Sequence, residues 1–134
     1  MSDDSAALFI LLTSPEHEKI QMAAMMASIG AVSDRPVTML VSMNALLCFE
    51  RGLAPEESYK GGRMSDVMKE KGVPDAINLL RQGKELGKME VYACSMALDV
   101  LGWETDNLSE DLFDGPMGLT KFLVDAEAGQ IITL

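Results

Sequence analysis

Lys88-Met89-Glu90-Val91-Tyr92-Ala93-Cys94-Ser95-Met96-Ala97-Leu98-Asp99-Val100-Leu101 changes character at its middle. The residues up to Ala93 are strand-like, and those from Ser95 onward are helix-like. Cys94 stands at the junction. A thiol there meets unpaired backbone N–H groups and the positive end of a helix dipole. Both favour the thiolate, which is the nucleophilic form. Position alone leaves a second reading open, a small buried hydrophobe that starts a helix.

Outward from this junction the chain alternates strand and helix signals. Upstream, Leu8-Phe9-Ile10-Leu11-Leu12 is a continuous apolar run, as expected of a strand buried on both faces. Thr13-Ser14-Pro15-Glu16 then supplies Ser14 as an N-cap, Pro15 at the first helical position and acid in the first turn. The helix that follows is expected to reach about Ser33, with Met22, Met25, Met26 and Ile29 on one face, read as core or subunit interface. Pro36 to Val41 reads as the second strand, and Ser42-Met43-Asn44 turns into a short helix closed by Gly52. Ala54 to Arg63 is polar and turn-rich and reads as a mobile loop. Residues 64–71 form a helical turn, and Pro74 starts a helix with Ala76, Leu79, Leu80, Gly83 and Leu86 on one face. Downstream of the junction, Leu119, Phe122, Leu123 and Ala126 pattern a last helix before the strand Gln130 to Leu134. The expected fold is one domain over residues 1–134. It is a three-layer α/β/α sandwich of flavodoxin-like type with a mostly parallel sheet of four strands, and Leu112-Phe113 is a candidate fifth.

Composition narrows the function. Eleven Lys and Arg stand against twenty-one Asp and Glu, a formal charge of −10. That balance repels phosphate backbones and anionic membrane surfaces, so neither nucleic acid nor membrane is an expected partner. The start is acidic and the apolar run after it is short, unlike a secretory signal or a membrane span, so a cytoplasmic protein is expected. Two cysteines far apart, Cys48 and Cys94, read as free thiols in a reducing compartment, and one histidine makes a metal site improbable.

Ligands of open parallel sheets bind at the carboxyl ends of the strands. Those ends carry Thr13 and Ser14, then Ser42 and Asn44, then Cys94, Ser95 and Met96. The rim collects hydrogen-bonding groups and one thiol, with no strong base or cation array. No GxGxxG or GxxxxGK[ST] is present, and no cofactor is expected. Cys48, between Leu47 and Phe49, reads as an inert core thiol. His17 reads first as a solvated first-turn histidine and second as an aid to proton transfer. Trp103 and the methionines read as packing or subunit contact.

The segment Glu90 to Gly102 resembles the cysteine segment of the DsrE/DsrF-like family of sulfur-relay proteins, where a strand ends in cysteine, a short helix follows and glycine closes it. Leu8 to Thr13 with its helix, Val37 to Met43 and the Gly118 to Leu134 ending fall in the same register. The resemblance implies a small α/β protein forming homotrimers or homohexamers. It implies that Cys94 accepts a sulfane sulfur as a persulfide from a donor protein and passes it to an acceptor protein, as a sulfur carrier or sulfurtransferase. The second cysteine that some relatives carry near the C-terminus has no counterpart after Cys94. Two other readings stay open: a non-catalytic oligomeric module binding a small ligand or partner, and a thiol redox sensor.

Overall fold

A computed structural model describes residues 6–134 of the chain; the acidic start, residues 1–4, lies outside them. The apolar run forms β1 (Ala7–Leu12), which lies between β2 (Val37–Val41) and β5 (Gly129–Thr133). Next to β2 comes β3 (Met89–Cys94), and β4 (Gly115–Met117) closes that edge. The order is β4-β3-β2-β1-β5 and every pairing is parallel. A strand paired on both sides and covered on both faces has no wet side, which is why β1 needs no polar alternation.

Two long helices share one face of the sheet, α1 (His17–Val32) and α5 (Ala76–Leu86). They approach closely through glycine. A Cβ at Gly83 would stand 3.3 Å from the Ser28 Cα, and the Ser28 hydroxyl donates to the Leu79 carbonyl at 2.6 Å. Beneath them, a Cβ at Gly30 would meet the Val37 side chain at 3.2 Å. The opposite face carries α7 (Leu119–Asp125), whose one buried side chain, Phe122, stands edge-on to Phe9 with centroids 5.9 Å apart at 81°. The result is a three-layer α/β/α sandwich.

The chain between β2 and β3 adds α2 (Met43–Leu47), α3 (Pro55–Ser58) and α4 (Arg63–Glu70), and α6 (Ser95–Leu101) follows β3. The stretch expected to be an open loop thus holds a helical turn and the start of α4. Glu18 on α1 fixes that start, accepting from the Gly62 and Ser65 N–H groups at 2.9 Å each. Burial acts to raise the Glu18 pKa, but these donors and its own backbone N–H outweigh it and hold the carboxyl below its ordinary value.

Several expectations are corrected. Of the two readings of the α1 methionine face, core fails: the buried face is Ile20, Ala23, Ala24, Ala27 and Ala31, whereas Met22, Met25 and Ile29 are exposed and Met26 is half-buried. The helix begins at His17 rather than Pro15, and Ser14 Oγ accepts from the Glu16 N–H at 3.1 Å. On α5, Leu86 leaves the core face and is 70% exposed. The fifth strand is Gly115–Met117, not Leu112-Phe113. Leu112 instead fills the core, and Phe113 stacks edge-on against Phe49 at 5.6 Å.

Where α5 turns into β3, Gly87 passes against the last turn of α1. A Cβ there would be driven into the Ala31 carbonyl, 2.6 Å from its carbon. Backbone cannot swing aside as a side chain can. Gly87→Ala is expected to cost about 2–3 kcal/mol by overpacking. Urea unfolding checks this, and a loss under about 1 kcal/mol would show that the two elements can separate freely.

Candidate functional site

Cys94 ends β3 and is the N-cap of α6, in extended backbone at φ −61°, ψ 122°. The first N–H groups of α6 have no partner within the helix and face that end. In the β3–β4 register Cys94 stands opposite Met117, and one step beyond the pair Val41↔Ala93 brings Ser42 alongside. Met89 meets the α5 face, so strand alternation turns Cys94 to the face that carries α7. There α7 starts directly after Met117. A Cβ on its N-cap, Gly118, would stand 3.7 Å from Ser95 Oγ. Two helix starts therefore meet beside the thiol.

The thiol is covered. Cys94 is 5% exposed, with Ser42 at 5% and Met117 at 7%. Ser95 is half-buried and Met96 is 52% exposed, so the outer surface of this corner is the α6 first turn. Met43, directly after Ser42, takes left-handed backbone at φ 53°, which costs an L-residue about 1–2 kcal/mol. That strain sits on the carboxyl rim and turns Asn44 outward.

The other rim residues are placed apart from Cys94. The sheet order reverses between β1 and β5, where the carboxyl-edge crevice of an open sheet lies. Here the chain fills it: the Thr13 and Ser14 N–H groups donate to the Leu134 carbonyl at 2.8 and 3.3 Å, and the Thr13 hydroxyl donates to it at 3.2 Å. Asn44 lines a separate open groove of about 360 Å³ with Pro15, Leu47, Cys48, Glu57 and Lys60. Cys48 is buried within its wall, and its thiol is directed at the Pro15 and Asn44 carbonyls at 3.7 and 3.9 Å. Burial pushes the Cys48 pKa up, so this sulfur stays a thiol at neutral pH.

His17 is not solvated. It is 5% exposed, stacked on Tyr59 (4.9 Å, 9°), with Nδ1 2.6 Å from the fully buried Ser65 hydroxyl. A cavity of about 190 Å³ adjoins it, shared with Gln21, Lys69 and Asp75. Burial first, and the Lys69 charge second, lower the His17 pKa; Gln21, Glu18 and Asp75 pull the other way and are outweighed. The neutral ring therefore belongs to the folded state. Its stabilising contribution is present above the unfolded value, 6.5, and declines as pH falls below it. Denaturant unfolding at about pH 7.5 and about pH 5.5 should show wild type losing more stability on acidification than His17→Gln. Equal losses would contradict this. Local sequence holds no signal for this cluster, because Ser65 and Tyr59 arrive from more than forty residues downstream.

Among the described residues no helix is long and apolar enough to cross a membrane. The family described as DsrE/DsrF/DrsH-like matches residues 14–134. No curated protein matches the chain. Among solved structures, the fold is similar to the protein of unknown function MTH1491 from Methanobacterium thermoautotrophicum, with a TM-score of 0.61 and 10% identity over 96% of this chain and 99% of that one. At that identity the likeness is one of fold.

Proposed function

Because the chain belongs to the DsrE/DsrF/DrsH-like family, we propose that it carries sulfane sulfur on Cys94. Family membership implies a role related to sulfur relay. The observation that carries the finer reading is the place of Cys94, on the carboxyl rim at the N-cap of α6, beside Ser42 and the α7 start. Of the two cysteines, Cys48 has its pKa pushed up by burial, and its thiol is directed at the Pro15 and Asn44 carbonyls.

The chemistry balances without a cofactor. Cys94 thiolate attacks the outer sulfur of thiosulfate, the S–S bond breaks, and sulfite leaves with the electron pair. Inorganic polysulfide reacts likewise and leaves one sulfur shorter. The product, Cys94–S–S⁻, gives its outer sulfur to an acceptor thiolate on a partner protein and returns to Cys94 thiolate. In this reading the free N–H groups of the α6 first turn, Ser95 and Met96 among them, supply the stabilisation of both anions. With the thiol 5% exposed, loading requires the first turns of α6 and α7 to part. The same reading supposes a homotrimer or homohexamer. Val100, Leu119, Leu123 and Val124, between 48% and 78% exposed, offer apolar surface on α6 and α7 for subunit contact.

Intact-mass spectrometry tests the proposal. Incubation with inorganic polysulfide should add about 32 Da, one sulfur atom, and a small thiol should remove it. No adduct with either polysulfide or thiosulfate would remove the reading. The cover over Cys94 favours the second reading, a non-catalytic binding module, in which Cys94→Ser would change nothing.

A further inference from the structure

Helix α1 is built with its apolar sizes reversed. The face against the sheet and α5 is small: Ala23, Ala24, Ala27, Gly30 and Ala31. The outward face is large: Met22 is 48% exposed, Met25 38%, Ile29 61% and Val32 52%. A surface helix normally turns its bulk inward and its charge outward. Here the outward positions are spaced three, four and three residues apart, the a/d spacing of a two-helix seam. The flanking positions Gln21, Met26, Ser28 and Ser33 are uncharged, and no residue from Ile20 to Ser33 carries a charge.

We propose that this seam is a two-fold contact between copies of the chain, α1 packed on the partner's α1. The occupant follows from the pattern and the charge. An a/d strip is self-complementary, as a two-fold contact requires, because the same patch serves both sides. A foreign partner is ordinarily chosen by flanking charges, and this strip has none. The chain carries a net charge of −10, so copies repel one another over most of their surface. The outward face of α1 lies within a fourteen-residue stretch free of charge, and there two copies can meet without like charges opposed. Doubled across the axis, the four side chains remove on the order of 800 Å² from water, below the roughly 1,200 Å² at which stable specific interfaces begin and within the range of weak, transient ones. The contact is therefore reversible and concentration-dependent. It uses a helix remote from the α6–α7 surface and does not depend on the chemistry of Cys94. A hexamer with three-fold contacts elsewhere would contain such two-fold axes as well.

Sedimentation velocity on the full chain, from about 1 to 200 μM, reads the result. Wild type should shift reversibly towards a species of doubled mass, and Ile29→Glu should weaken that step at least about tenfold by placing like charges across the axis. Ile29→Leu should retain it. Met25→Lys is the second variant, and far-UV circular dichroism confirms that each remains folded. A wild type whose mass does not change with concentration, or a doubling step unaffected by both charged variants, overturns the proposal.

Discussion

Cys94→Ser is expected to lose all sulfane-sulfur loading while keeping its fold. Oxygen for sulfur is close to isosteric at a position that ends a strand and caps a helix, and serine is itself a good N-cap. Stability should therefore shift by less than about 1 kcal/mol. A serine hydroxyl, however, is far too weakly acidic and nucleophilic to open a sulfane S–S bond without a base. His17 cannot serve as that base: it is 5% exposed, stacked on Tyr59 and bonded to Ser65. Loading should fall below detection, more than about a hundredfold, a change in activity with almost none in stability. Cys48→Ser should load as wild type does. If Cys94→Ser kept the adduct and Cys48→Ser lost it, the groove beside Lys60 would hold the chemistry instead.

Phe122→Ala should have the largest effect on stability, about 3–5 kcal/mol. Phe122 is fully buried, and it is the one buried side chain of α7, resting on Phe9 of β1. For a domain whose total stability is about 5–15 kcal/mol, this removes a large part. The variant also tests the cover over the thiol. With α7 loosened, the corner formed by Met117, Gly118 and Ser95 opens, so native-state alkylation of Cys94 should accelerate more than that of Cys48. Thr120→Ala is the control: exposed on the same helix, it should change stability by under about 0.5 kcal/mol. A loss under about 1.5 kcal/mol for Phe122→Ala would mean that α7 is held by something other than this contact.

The sequence made some of this legible and hid the rest for physical reasons. β1 could be read because a strand buried on both faces is apolar throughout, which needs no partner to interpret. The β3–Cys94–α6 junction could be read because the residue types change within one step. α1 misled because it is apolar all round: periodicity marks the face of large residues, while close packing against α5 selected the small ones. β4 was missed because Gly115-Pro116-Met117 has no strand propensity; proline is tolerated there only because the strand lies at the sheet's edge. The environment of His17 was invisible, because it is made by Tyr59, in a segment that local signals marked as loop, and by Ser65, in the helical turn after it. At the rim, Cys94 and Ser42 are brought together by register, while Thr13 and Ser14 are engaged by the Leu134 carbonyl. That last contact joins the two ends of the fold and has no local signature.

The central claim is that Cys94, and not Cys48, accepts sulfur. Peptide mapping by mass spectrometry after polysulfide treatment, with free thiols blocked under native conditions, tests it most directly. An added sulfur of about 32 Da confined to the peptide bearing Cys94 is the predicted result. The same mass on the Cys48 peptide, with Cys94 recovered unmodified, would contradict it.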